Sequence, residues 1–379
     1  MLYYLHLLTE WFSPLRVFRY ITFRALAGAG TAFIICLIVG PWMIRMLRRL
    51  KMGQPIRRSE APPLVIFHGK KEGTPTMGGV LIILSVVIST LLWTPWSNGF
   101  VWIALLTMCF MGGIGFRDDF LKVTKKNTKG LGARSKLFWQ LAWVVVVFAV
   151  LLIWPTTREQ CRQLMVPFLK DPLIQDLGLI GTFLFLALVM VGSTNAVNLT
   201  DGLDGLAIGC SNSVALAYLV MAYIAGHAGL AKYLQVPYIP GTGELAVFCG
   251  CLLGAGLGFL WYNCHPARVF MGDTGSLALG GAISIVAVLI NQELALILVG
   301  GVFVAEALSV LLQVSYFKLT GGRRIFKCSP LHHHFEVLEK ERAEKEGRDV
   351  EVVETMITIR FWILSIICAL LGVAMLKLR

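Results

Sequence analysis

Apolar residues in this chain come in long unbroken runs separated by short polar connections, without the alternation expected of half-buried strands. A helix rises ~1.5 Å per residue, so crossing ~30 Å of hydrocarbon takes about 20 mostly apolar residues. Ten runs meet that requirement, at roughly 25–47, 77–96, 100–116, 137–154, 178–197, 205–225, 245–262, 274–290, 293–317 and 357–376. Continuous runs predict helices that satisfy their own backbone groups, not a barrel. The expected fold is therefore all-α: a polytopic membrane protein of about ten transmembrane helices, with 1–379 forming one integral membrane domain.

The polar connections set the orientation. Connection 48–76 carries Arg48, Arg49, Lys51, Arg57, Arg58, Lys70 and Lys71, and 117–136 and 318–356 are similarly basic. Connections 97–99 and 291–292 carry no Lys or Arg, and 226–244 carries only Lys232. The connection 155–177, with Arg158, Arg162 and Lys170, is the least tidy. Positive charge stays inside, so both termini are expected in the periplasm and the basic connections in the cytoplasm. Residues 1–24 mix Trp11, Phe12, Phe18 and Tyr20 with Arg16, Arg19 and Arg24, which reads as an interfacial lead-in rather than a cleavable signal.

Composition sharpens this picture. The chain is 56% hydrophobic and 15% charged, against ~45–50% and ~25% for soluble proteins. Its net charge of +12 lies in the connections, which suits membrane orientation and phosphate substrates better than nucleic acid. The nine cysteines are scattered, five of them (Cys36, Cys109, Cys249, Cys251, Cys368) inside apolar runs and none in a C-x-x-C pair. They predict neither a zinc site nor a disulfide framework. The mixed-charge stretch from Glu336 to Glu354 reads as a solvated helix or loop.

Unusual polar clusters gather on the expected cytoplasmic side. Asp118 and Asp119 leave the third span with Lys122 and Lys126 spaced one and two turns on. Adjacent carboxylates favour a hard cation such as Mg²⁺, which commonly shares its sphere with substrate phosphates, although a surface ion-pair ladder would use the same residues. Asn198, Asp201 and Asp204 recur every three residues in a Gly-containing turn between the fifth and sixth spans. Two carboxylates beside apolar spans are expensive unless paired or coordinating. Asn263 precedes Phe270-Met-Gly-Asp273-Thr-Gly-Ser276, where Asp273 suits a Mg²⁺ ligand or a helix cap and Phe270 offers a stacking face. His332, His333 and His334 follow Ser329-Pro-Leu and lack a zinc partner set, so phosphate hydrogen bonding or a solvated loop remains. Lys70 through Gly79 joins lysines, hydroxyls and glycines before the second span without Walker A spacing, as a phosphate loop or a plain basic one. Glu306 and Gln313 lie inside the ninth apolar run, as functional groups or as buried hydrogen-bond partners.

These clusters, in this order between these spans, resemble the phospho-N-acetylmuramoyl-pentapeptide-transferase family of the polyprenyl-phosphate N-acetylhexosamine-1-phosphate transferases. The resemblance spans nearly the whole chain. It implies ten helices, a cytoplasmic active site in the bacterial inner membrane, Mg²⁺ as cofactor and a homodimer. The implied reaction moves phospho-MurNAc-pentapeptide from UDP-MurNAc-pentapeptide to undecaprenyl phosphate, giving lipid I and UMP for peptidoglycan synthesis. It also implies Asp273 as the metal ligand, with Asp118, Asp119, Asp201 and His332 in the catalytic group. Lys70, Asn198, Asp204, Asn263 and Phe270 match the nucleoside side; Thr76, Gln313 and His333 match the donor or phosphate side; Lys122 and Lys136 match cationic cleft positions. Residues 336–356 look longer and more charged than the family's connection.

Two mechanisms fit, direct attack by the lipid phosphate or a phospho-aspartate on Asp118. Two other functions compete. A sister enzyme would transfer GlcNAc-1-phosphate to the same lipid, and the triple His argues against it. A transporter would place polar groups near the bilayer midplane, where only Glu306 and Gln313 lie.

Overall fold

The computed structural model describes residues 1–50, 73–124 and 130–378. Two 3₁₀ segments, Leu2–Glu10 and Ser13–Arg19, lead into α1 (Ile21–Arg49). The long helices that follow are α2 (Gly79–Trp93), α3 (Gly99–Thr124), α4 (Ala133–Ile153), α5 (Gly178–Thr200), α6 (Leu206–Ala225), α7 (Glu244–Asn263), α8 (Gly272–Leu289), α9 (Gly301–Leu319), α10 (Leu331–Glu346) and α11 (Glu351–Ala374). Among the described residues, nine helices are long and apolar enough to cross a membrane, and α2 is a shorter apolar helix. All ten expected runs are thus helical.

Two runs differ in length, for local reasons. The run at 77–96 yields only the 15 residues of α2. Its N-terminal approach is drawn into backbone pairing with Phe270 and Met271 (Gly78 and Gly79 N–H donate at 2.9 Å each), and Pro95 disfavours helix at its other end. The run at 293–317 divides at Gly300 into Ala295–Val299 and α9. Two consecutive glycines weaken the helix there, and Gly301 packs so closely on α11 that a Cβ would lie 2.9 Å from Cys368 Sγ.

The centre of the bundle is α8, with α6 and α7 beside it; α1, α4, α5, α9 and α11 keep broad apolar faces outward. Outward apolar faces are what a lipid solvent permits, so close backbone contact replaces water exclusion as the packing device. Gly115 of α3 illustrates this: a Cβ there would stand 2.1 Å from the carbonyl oxygen of Asp273.

The end of the bundle opposite the polar clusters holds a buried ion pair. Arg24 is not the interfacial residue its sequence context suggests. It is 1% exposed and bidentate to Glu244, at 2.5 and 2.7 Å, with a third bond to the Trp93 carbonyl at 3.1 Å. Tyr3 stacks over the guanidinium at 4.8 Å.

Candidate active site

The site assembles where α3 ends and α8 begins. The close approach at Gly115 brings Asp119 under the first turn of α8, whose backbone N–H groups need acceptors. Asp119 Oδ1 accepts the Asp273 N–H at 3.2 Å, and its Oδ2 accepts the Thr274 N–H and hydroxyl at 2.9 and 2.7 Å. Asp119 therefore caps α8 from another helix, and Asp273 does not cap its own. The Asp273 side chain is left to face the cleft.

There it meets two lysines. Lys122 Nζ lies 2.5 Å from Asp118 Oδ2 and 3.1 Å from Asp273 Oδ2, and Lys136 Nζ lies 3.5 and 2.6 Å from the same two atoms. Asp118 Oδ1 accepts the Leu131 N–H at 2.7 Å, so the carboxylate is held on both sides. The i, i+4 pairing expected of Asp118 and Lys122 is present, while Lys126 lies outside the described residues. Asp118, Asp119 and Asp273 each offer an oxygen within 4.8 Å of the others. Three carboxylates against two ammonium groups leave one negative charge in a nearly dry setting, and an all-oxygen set of this kind suits a hard divalent cation.

The turn between α5 and α6 closes a second wall. Its polar residues do not share one side, as their spacing suggests, but diverge. Asn198 Oδ1 accepts the Ser276 hydroxyl of α8 at 3.3 Å. Asp204 points away, accepting the Ala267 N–H at 3.0 Å with His265 Nδ1 at 3.1 Å. Asp201 lies between them, half-buried. Burial pushes its carboxyl up to about 8, and the charges of Asp273, Asp119 and Asp204 add to the effect.

Residues far along the chain brace this turn. Asn263 accepts the Gly205 N–H at 3.1 Å and donates to the Val269 carbonyl at 2.9 Å. From α11, Glu354 accepts the Asp204 N–H at 3.0 Å and Trp362 donates to the Gly205 carbonyl at 3.1 Å. Asp204, His265 and Glu354 also bring ligand-type atoms within 4.8 Å of one another.

The three histidines occupy the first turn of α10, and each has a different partner at Nδ1. His332 is wholly buried against Glu306 of α9, with Nδ1 3.2 Å from its carboxylate. His333 is 15% exposed, with Nδ1 2.8 Å from Glu336 Oε2. His334 accepts the Lys327 N–H at 3.2 Å, and burial followed by the Lys327 charge lowers its pKa. The expected solvated character of 336–354 fails in part: Glu336, Lys340 and Glu354 are buried, and Lys340 bonds Glu336 at 2.6 Å.

A family model described as glycosyl transferase family 4 matches residues 101–291, and one described as phospho-N-acetylmuramoyl-pentapeptide-transferase signature 1 matches residues 71–83. A phospho-N-acetylmuramoyl-pentapeptide-transferase of Methylacidiphilum infernorum is 52% identical over 380 residues, covering all of both chains. Proteins of the same name from Solidesulfovibrio magneticus and Thermodesulfovibrio yellowstonii are each 51% identical, over all of both chains and over 99% of both chains respectively. The chain belongs to the phospho-N-acetylmuramoyl-pentapeptide-transferase family. It is a multi-pass membrane protein.

Of the residues the family resemblance singles out, the structure brings Asp118, Asp119, Lys122, Lys136 and Asp273 into one cluster. Thr76 joins its edge, since a Cβ on Gly272 would lie 2.8 Å from Thr76 Oγ1 and 2.5 Å from Asp119 Oδ2. Phe270, half-buried, donates its N–H to the Pro75 carbonyl at 2.8 Å, which ties the Gly73–Gly79 loop to the Asp273 segment. Asn263 and Gln313 are engaged with backbone: Gln313 accepts the Ile325 and Phe326 N–H groups at 3.1 and 2.9 Å. Lys70 lies outside the described residues.

Inspection of the sequence overlooks Thr274, His265, Glu336 and Glu354. The i, i+3, i+7 spacing of His333, Glu336 and Lys340 is a helical-face signal that could have revealed one of them. No local signal joins Glu354 to Asp204, 150 residues away.

Proposed function

We propose that this chain transfers phospho-MurNAc-pentapeptide from UDP-MurNAc-pentapeptide to undecaprenyl phosphate, forming lipid I and releasing UMP for peptidoglycan synthesis. The observation that carries this reading is the Asp118–Asp119–Asp273 group with Lys122 and Lys136 set among it. Exchange of one phosphoanhydride for another needs little from a protein beyond positioning and charge stabilisation. A cluster of hard oxygens and ammonium groups at the end of a lipid-facing bundle supplies both. The clustering of charge at that one end also speaks against transport.

Mg²⁺ belongs to the proposal. Asp273, its carboxylate free of capping duty, would be its principal ligand, with Asp118 and Asp119 beside it. Bound there, the ion supplies positive charge to the diphosphate oxygens. Lys122 and Lys136, which now satisfy the carboxylates, would turn to the substrate's remaining charge. His333, Thr76 and Phe270 serve the donor, as do Asn198 and Asp204 through the turn they hold.

Direct attack is the mechanism we favour. A lipid phosphate oxygen forms a bond to the sugar-bearing phosphorus as the bond to the UMP oxygen breaks, and Asp118 takes up any residual lipid phosphate proton. Asp118 is 1% exposed, with Oδ1 accepting a backbone N–H and Oδ2 paired with Lys122, an arrangement suited to a held base more than to a nucleophile that must move. Accumulation of a phosphorylated enzyme with the donor alone would overturn direct attack.

The site faces the cytoplasm in this proposal, with both termini periplasmic, because the basic connections of the sequence belong on the cytoplasmic side. A homodimer completes the proposal, to be checked by the mass of the detergent-solubilised protein. The activity test is purified protein with UDP-MurNAc-pentapeptide, undecaprenyl phosphate and Mg²⁺, following UMP. Lipid-dependent UMP release that EDTA and Asp273→Ala abolish is expected. Turnover with UDP-GlcNAc and none with the muramoyl donor would move the protein to the sister reaction.

A further inference from the structure

Glu306 is wholly buried in α9, an otherwise apolar membrane helix. A carboxylate in that position is costly unless its partners are good, so its retention needs a reason. Its two oxygens are directed at a single residue. Oε1 accepts the backbone N–H of His332 at 3.1 Å, and Oε2 lies 3.2 Å from Nδ1 of the same imidazole. One side chain thereby bonds the backbone of His332 and faces its ring at ion-pair distance.

What this leaves is Nε2. Nδ1 and Glu306 Oε2 face each other at ion-pair distance without hydrogen-bond geometry, and Nε2 is buried with no hydrogen-bond partner among the described residues. It packs on the Asp201–Gly202 turn so tightly that a Cβ on Gly202 would stand 2.2 Å from it. The neighbouring His333 repeats the arrangement. Its Nδ1 sits against Glu336, and its Nε2 lies 3.0 Å from the same point. The two rings are 4.2 Å apart. Two imidazoles, each with a carboxylate against Nδ1, thus aim Nε2 at one glycine in the turn that carries Asp201. His334, one residue on, does otherwise, its Nδ1 accepting a backbone N–H, so the pattern is not simply a property of a helix start.

We propose that Glu306 is a positioning residue for the transferase reaction. Its carboxylate faces the Nδ1–H edge of a charged, doubly protonated His332 ring and so leaves Nε2–H to donate to the donor phosphate brought to the Asp201–Gly202 turn. A carboxylate behind a working imidazole fixes its ring orientation and favours its charged form. The inference rests on the placement of His332 in the transferase site.

The test is Glu306→Gln. The amide oxygen can still accept the His332 N–H, but the amide NH₂ then faces Nδ1 and leaves a neutral ring with its one proton on Nε2, so the positive charge offered to the phosphate is lost. We expect kcat to fall about 10- to 100-fold with the donor KM changed much less, in protein that melts near the parent temperature. In a His332→Gln background the same change should alter kcat less than about twofold, because Glu306 then has no ring to orient. Glu306→Asp, which keeps the buried charge but lengthens the contact, should fall between Glu306→Gln and the parent and guards against a Gln variant that fails to fold. Parent-like kcat in folded Glu306→Gln, or equal losses in both backgrounds, would overturn the role of Glu306 alone. Parent-like activity in His332→Gln would overturn the placement of His332 beneath it.

Discussion

Asp119 Oδ2 accepts both the backbone N–H and the hydroxyl of Thr274, at 2.9 and 2.7 Å. The carboxylate of one membrane helix is thus the cap of another, and the capped helix is the one that presents Asp273. Asp119→Asn would turn an amide N–H toward one of those donors and destabilise the protein by about 1–3 kcal/mol. The displaced α8 end should lower turnover at least tenfold. Thr274→Val removes only the hydroxyl bond, for about 0.5–1.5 kcal/mol, and should keep most activity. Melting curves and UMP release on the two variants check the ordering, and a Thr274→Val as damaging as Asp119→Asn would contradict it.

Lys136 should act in two opposed ways. Its Nζ lies 2.6 Å from Asp273 Oδ2 and so competes for the carboxylate that the proposed cation needs. Lys136→Met should lower kcat, through loss of charge on the diphosphate, while shifting half-maximal activation to lower Mg²⁺ concentration. A Mg²⁺ titration of activity decides the matter: a shift to higher concentration would mean that Lys136 supports the ion instead of competing with it.

Asp201 ties stability to pH in a direction opposite to most carboxylates. Its folded pKa is raised to about 8, against about 3.9 in an unfolded chain. Between those values the folded protein holds a proton that the unfolded one has released, so stability falls as pH rises through the window and levels off above it. Asp201→Asn should flatten that slope. Unfolding measured from pH 5 to 9 without divalent cation or substrate tests this, and an identical slope in both proteins would refute it.

The Arg24–Glu244 pair lies at the opposite end of the bundle and should affect folding, not chemistry. Arg24→Met leaves the partly buried Glu244 without its partner, at up to about 3 kcal/mol. Arg24→Met with Glu244→Met should recover much of that loss, because no lone charge remains. Activity per folded molecule should stay near the parent value in both. A selective loss of turnover at unchanged stability would show that the two ends are coupled.

Fold class could be read from local pattern because the membrane imposes a local rule. Each span must satisfy its own backbone over about 20 residues, so every helix announces itself in one continuous run. The same rule allows only short connections at many points, which is why Asp118, Asp201, Asp273 and His332 could be placed at span ends before any packing was known. The break at Gly300 and the shortened α2 were harder to see, since each depends on what a neighbouring segment demands.

The chain by itself determined that there would be ten apolar helices, which residues would stand at their polar ends, and the family pattern those residues make. Only the tertiary structure decided how each polar group is employed. Asp119 caps α8 while Asp273 faces the cleft; Arg24 is buried against Glu244; Glu354 supports Asp204; Glu306 faces His332. The physical reason is range. Span formation is fixed by neighbours in sequence, whereas a carboxylate's role is set by whichever donors the packed helices bring within about 3 Å of it, and those donors come from anywhere in the chain.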